Sequence, residues 1–134
     1  MNSIAGIAVN KGKLFIARRK AGGDLGGKWE FPGGKAKKSE HDTDALCREF
    51  LEEFNVSIKT GSLLATTEFY HNAIRFKLNA YQVSFNTGNL HLTEHSEWRW
   101  ASIDEIENLD FADSDKKLLP TLKTQFEAES PINK

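Results

Sequence analysis

Residues 34–56 read GKAKKSEHDTDALCREFLEEFNV, and from Asp42 onward the apolar spacing departs from that of the chain around it. At about 100° per residue, Leu46, Cys47, Phe50, Leu51 and Phe54 fall in one arc of about 140°, which predicts an amphipathic helix over 42–54. Asp42 or Thr43 can cap its start. Asn55, a residue that accepts the left-handed backbone, follows the last apolar position. Glu49, Glu52 and Glu53 occupy a second arc beside the apolar stripe. Carboxylates three and four positions apart repel by about 0.2 to 0.5 kcal/mol per pair, and Glu52 and Glu53 stand at the negative end of the helix dipole. Taken alone, these acids form either a solvated face, with Arg48 as an ion-pair partner, or a cation site. Clustered carboxylate oxygens suit Mg²⁺ or Mn²⁺, and the absence of a Cys/His cluster argues against structural zinc.

Working outward, the chain has 134 residues, 39% of them hydrophobic and 28% charged, which implies one globular domain spanning 1–134. Ile4 to Val9 reads as a strand, Asn10 to Lys13 as a turn, and Leu14 to Arg18 as the return strand. Lys20 to Lys28 is a glycine-rich loop, and Trp29 to Phe31 a short strand ended by Pro32, with Gly33-Gly34 after it. Leu63 to Tyr70 and Ile74 to Phe85 form a hairpin around His71-Asn72. In the second of these strands Ile74, Phe76, Leu78 and Ala80 share one face, and Arg75, Lys77 and Asn79 the other. Trp98 to Ala101 is a strand, Ser102 to Glu105 opens a short helix, and Ser114 to Phe126 is a final helix interrupted near Pro120. The single cysteine, Cys47, reads as a buried small hydrophobe. Without a second cysteine, an N-terminal signal or an apolar run of about 18 residues, the expectation is a cytoplasmic protein with no membrane partner.

The order Gly34, five residues, Glu40, seven residues, Arg48-Glu49, Phe50, Leu51, Glu52-Glu53, Phe54, Asn55, Val56 resembles the Nudix box. Every charged position matches. Asn55 replaces the usual Gly, and Phe50 is bulkier than the usual aliphatic residue. The resemblance extends to Phe15 through Arg19, to Glu30 through Lys35, and to Glu94, His95, Glu97 and the stretch from Trp100 to Ile106, similar to MutT-type enzymes. It implies an α+β protein with the Nudix fold, an α/β/α sandwich around a central mixed sheet.

The resemblance also implies an activity: hydrolysis of a nucleoside triphosphate to the monophosphate and pyrophosphate, with Mg²⁺ or Mn²⁺ as cofactor. An oxidised or non-canonical nucleotide such as 8-oxo-dGTP is the expected substrate, in nucleotide-pool sanitation. CTP or dCTP is the alternative, and a non-catalytic nucleotide-binding module a further one. The implied metal ligands are Glu53 first, then Glu49, Glu52, Glu94 and the main chain of Gly33. Glu49 and Glu94 are both candidates for the general base, while Glu40 and Arg48 brace the loop, Arg48 being a box residue also counted among the catalytic ones. Arg19 would bind phosphate. Asp24, Glu30, Phe31, Pro32, Gly33 and Asp115 would hold the remainder of the substrate, with Ile4 or Gly6 and the loop from Phe111 lining a base pocket. Asp115, an acceptor when ionised, suits a base with a donor edge.

The formal net charge of -1 hides a segregation: residues 1–39 carry nine Lys and Arg against Asp24 and Glu30, and the remainder nine against seventeen acids. The near-neutral sum excludes a nucleic-acid coat, and the basic segment is expected to face polyphosphate. A monomer or weak dimer is expected.

Overall fold

At Ala8 the first extended segment leaves one sheet and enters another. In the computed structural model, which describes residues 1–128, β1 (Asn2–Ile7) lies inside one four-stranded sheet and β2 (Val9–Asn10) at the edge of a second. The first sheet runs β5 (Gly33–Lys35), β1, β7 (Ile74–Ser84), β6 (Lys59–His71). β1 pairs parallel with β7, and the other pairings are antiparallel. In the second sheet β3 (Lys13–Arg19) is central, with β2 and β4 (Trp29–Glu30) along one edge and β8 (His95–Ala101) along the other.

Side chains alternate across both sheets, so each sheet has two buried faces. Ile4, Ala8, Phe15, Ala17 and Val83 pack against Ala45, Leu46, Phe50 and Phe54 of α1 (Asp42–Phe54). Ala5, Ile7, Leu14, Ile16, Leu78 and Ala80 face the other way, toward Ile106 of α2 (Ile103–Glu107), Leu118, and Leu119 and Leu122 of α4 (Leu119–Ala128). α3 (Asp113–Lys116) lies between α2 and α4. This is the expected α+β sandwich with mixed strand pairing. Gly6 lets α1 approach, because a Cβ there would stand 2.6 Å from the Phe50 ring. A small residue on β1 thus accommodates the bulky one on the helix.

Several local expectations change. His41, not Asp42 or Thr43, occupies the N-cap position of α1 and makes no side-chain cap. Asp42 instead reaches the sheet, where its Oδ2 accepts from Asn79 Nδ2 and Tyr81 Oη, each at 2.8 Å. Asn79, expected on an outer face, is therefore buried beneath the helix. Asn55 closes α1 in the left-handed region, at φ 54°. Gly33 to Lys35, expected as loose chain, forms a strand against Ser3 to Ala5. β6 begins at Lys59, earlier than its apolar pattern suggests, and the hairpin turns at Asn72-Ala73, both with positive φ. β8 starts at His95, and the final helical stretch breaks before Leu119 with Pro120 in the first turn of α4, where its missing N–H costs nothing.

Cys47 is exposed, not buried, and so is Leu51. The buried residues of α1 are Ala45, Leu46, Phe50, Glu53 and Phe54. At about 100° per residue these span an arc centred near Glu53, so the helix is rotated away from its purely apolar stripe and toward its carboxylates. No helix among the described residues is long and apolar enough to cross a membrane.

Candidate active site

That rotation sorts the three helix acids into different environments. Glu52 is turned outward, its side chain 56% exposed, and meets Arg48 at 3.2 Å. Glu49 is mostly covered and lies so close to Gly34 that a Cβ on the glycine would collide with its carboxylate. Glu53 is buried, and its Oε1 has no hydrogen-bond partner. Burial raises the Glu53 pKa above the ordinary carboxylate value, and Glu49 and then Glu30 add to the effect, against a smaller opposing pull from Arg19.

Arg48 closes the other side of the loop. Its Nε and Nη2 grip Glu40 at 2.9 and 3.0 Å, Nη1 reaches Glu49 at 3.3 Å, and Nη2 also donates to the Lys35 carbonyl. Glu40 Oε1 accepts from the Lys37 N–H as well. The Arg48 hydrogen bond, followed by the Lys37 one, lowers the Glu40 pKa to about 2. The segment from Lys35 to Glu40 is thereby tied to the helix.

Beyond Glu53 lie Glu30 on β4 and His95 on β8, brought together because both strands flank β3. The three residues each offer a ligand atom within 4.8 Å of the others. His95 is fully buried, stacks on Phe54 at 5.0 Å, and meets Glu30 Oε2 at 2.8 Å through Nε2. Arg19 Nη1 reaches the same Glu30 oxygen at 3.2 Å. Glu94, singled out as a metal or base candidate, is exposed, and its main-chain carbonyl accepts from Lys20 N–H. Its neighbour His95 joins the cluster instead. A lone histidine carries no periodic signal, and only the pairing of Arg19 with His95 across β3 and β8 places it here.

Arg19 and Glu30 also line a cleft of about 410 Å³ with Asp24, Phe31, Gly33 and Gly34. Its far wall is formed by Ile4, Ser114 and Asp115, and by Phe69, His71, Phe76 and Leu78 from the β6–β7 hairpin. The hairpin residues were not anticipated, since their spacing reads only as strand alternation. Gly6 lies under Phe50, and Pro32 is buried with its carbonyl accepting from Gly6 N–H, so neither lines the cleft. Phe111 packs edge-to-face behind Phe31. Asp115 is buried, and its Oδ2 accepts from the Phe31 N–H at 2.9 Å. Burial, and then the charge of Glu30, push its pKa up to about 7. Of the nine N-terminal cations only Arg19 and Lys35 reach the cleft, whereas Arg18 pairs with Glu97 and Lys28 with Asp110.

A sequence model of the NUDIX domain matches residues 4–121. The chain belongs to the Nudix family. It is 33% identical over 116 residues to a CTP pyrophosphohydrolase of Escherichia coli, covering 87% of this chain and 86% of that one. An 8-oxo-dGTP diphosphatase of Buchnera aphidicola is 25% identical over 122 residues, covering 91% and 92%. Among solved structures, the E. coli ORF135 protein superimposes with a TM-score of 0.82 at 31% identity, over 92% of this chain and 88% of that one. This Nudix protein is accordingly a pyrophosphohydrolase acting on nucleotides.

Proposed function

We propose that this enzyme hydrolyses a nucleoside triphosphate to the monophosphate and pyrophosphate, with cytosine nucleotides as its first substrates. The reading rests chiefly on Glu53, a buried carboxylate with an unpartnered oxygen in the last turn of the box helix. A divalent cation fits these donors. Buried acceptors require an electrophile, and the missing side chains of Gly33 and Gly34 leave backbone and carboxylates packed together as an ion cradle needs. Glu53, Glu49 and the Gly33 main chain would hold the ion, with Mg²⁺ or Mn²⁺ suited to the oxygen set. When bound, such an ion screens phosphate oxygens and acidifies water.

The chain's own groups supply the remainder. Arg19 faces the cleft with a fork of donors suited to phosphate oxygens, and Glu30 holds that fork in place. Glu49, held by Arg48 and pressed against Gly34, is the carboxylate we place at the attacking water as general base. Glu30 and Asp115 present acceptors to the base, which favours an amino edge such as that of cytosine. The CTP pyrophosphohydrolase of E. coli supports the same choice.

A second reading, 8-oxo-dGTP, is favoured by one observation. With a pKa of about 7, Asp115 is partly protonated near neutrality and then donates as well as accepts, as an oxidised purine edge requires. A kcat/KM comparison of CTP, dCTP, 5-methyl-dCTP, dGTP and 8-oxo-dGTP is expected to rank the cytosine nucleotides first. Preference for 8-oxo-dGTP would install the second reading, and no pyrophosphate release from any of them would overturn both.

A further inference from the structure

Side-chain alternation along β8 breaks at Ser96. Trp98 and Trp100 face α1 and pack around Phe15, while Glu97 and Arg99 face the other way and meet Arg18 and the Trp29 ring. Continued alternation would put His95 on that second face. The pairing with β3 shifts register between Arg18, opposite Glu97, and Arg19, opposite His95, so Ser96 is an extra residue with no counterpart. A bulge of this kind re-aims the side chains beyond it. His95 accordingly lands on the helix side, stacked on Phe54 at 5.0 Å.

Arg19 on β3 and Glu30 on β4 converge on the same place. Arg19 can only donate, so Glu30 Oε2, 3.2 Å from Arg19 Nη1, is an acceptor, and His95 Nε2, 2.8 Å from that oxygen, directs its proton there. One carboxylate oxygen takes both donors. His95 Nδ1 is buried with no partner, a cost that an apolar side chain filling the same space would not incur. Packing alone therefore does not account for a histidine here.

We propose that His95 is a positioning residue for substrate binding: through Nε2–H it fixes the Glu30 carboxylate, which in turn holds the Arg19 fork at the wall of the cleft. His95 has no exposed side-chain surface and does not line the cleft, so it acts only through Glu30. With Oε2 engaged twice, Oε1 is the oxygen left for a donor on the substrate. The inference rests on the substrate-binding role given above to Arg19 and Glu30 and adds to it a residue outside the box.

The test is steady-state hydrolysis of CTP by the full chain with Mg²⁺, or of 8-oxo-dGTP where that nucleotide is the better substrate. His95→Leu is expected to raise KM about tenfold with kcat within about threefold, because a binding contact loosens while the reacting groups are untouched. His95→Gln, whose amide N–H can stand where Nε2 does, should bring KM back to within about threefold of the parent. In a Glu30→Ala background His95→Leu should change nothing further, since its route to the substrate is gone. A purely structural histidine would lower the folded fraction, and with it kcat, at unchanged KM. That result, a Gln variant as impaired as the Leu variant, or additive losses in the double variant would each overturn the proposal. Long-range ¹H–¹⁵N NMR of the unaltered protein, with no nucleotide present, should find a proton on His95 Nε2, and a bare Nε2 would overturn the proposal even if neither variant folds. Inactivity toward every nucleotide would remove the substrate reading and leave this NMR measurement in force.

Discussion

Two carboxylate centres share helix α1 and treat charge in opposite ways. At Arg48, five acceptor oxygens from four residues surround one guanidinium, and Glu40 is held near pKa 2. One turn later Glu53 is buried among acids, with its pKa raised and one oxygen unpartnered. The first centre is paired within the chain, and the second leaves one Glu53 oxygen without a hydrogen-bond partner. A finished ion pair fixes geometry, whereas an unfinished one marks where a ligand belongs.

The largest test of this contrast is Glu53→Gln. We expect kcat to fall on the order of 10³-fold. The metal-free protein should instead gain roughly 1 to 3 kcal/mol in stability at pH 8, because the raised Glu53 pKa makes the folded state take up a proton that the unfolded carboxylate does not hold, and Gln removes that cost. A loss of both in a urea melt with activity assays would place Glu53 in the structural class with Glu40. Arg48→Ala should do the reverse. Leaving partly covered Glu40 and the Lys35 carbonyl without their donor costs about 1 to 3 kcal/mol, and hydrolysis should fall only about tenfold as the loop loosens.

Asp115→Asn sharpens the comparison through pH. The folded pKa of Asp115 lies above its ordinary value of 3.8, so between 3.8 and about 7 the native state binds more protons than the unfolded one. Stability in that window therefore falls as pH rises. The Asn variant should lose this slope and exceed the parent in stability above pH 7, by a few kcal/mol at most. Guanidinium melts from pH 4 to 8 check it, and parallel curves would exclude Asp115 as the source. The smallest effect is expected at Cys47, which lies on the same helix and outside both centres. Cys47→Ser should shift stability by less than about 0.5 kcal/mol, and the native thiol should react with an aromatic disulfide reagent without unfolding.

The box helix and its fixed acid spacing were legible because a motif read along the chain does not depend on the sheet. The rotation of that helix was not. Leu46, Phe50 and Phe54 fit either of two orientations, one burying Cys47 and Leu51 and the other burying Glu53, and periodicity ranks carboxylates as solvent-facing. Asp42 shows the same limit: as a sequence feature it is a helix cap, and only with β7 in place does it become the partner of Asn79 and Tyr81. Arg19, Glu30 and Asp115, singled out by the resemblance, line one cleft. His95, Phe69 and Phe76 required the strand order.

The exchange of sheets at Ala8 makes the fold depend on pairings far apart in the chain. β1 pairs in parallel with β7, with Asn2 opposite Lys77, and β3 pairs with β8, with Leu14 opposite Ala101, both across long stretches of chain. Such distant pairings form late and slowly. Glu30, Glu53 and His95 come from three separate parts of the chain, and they can meet only after β3 and β8 have found each other. A nascent chain released before His95 would carry the complete box and none of the assembled cluster.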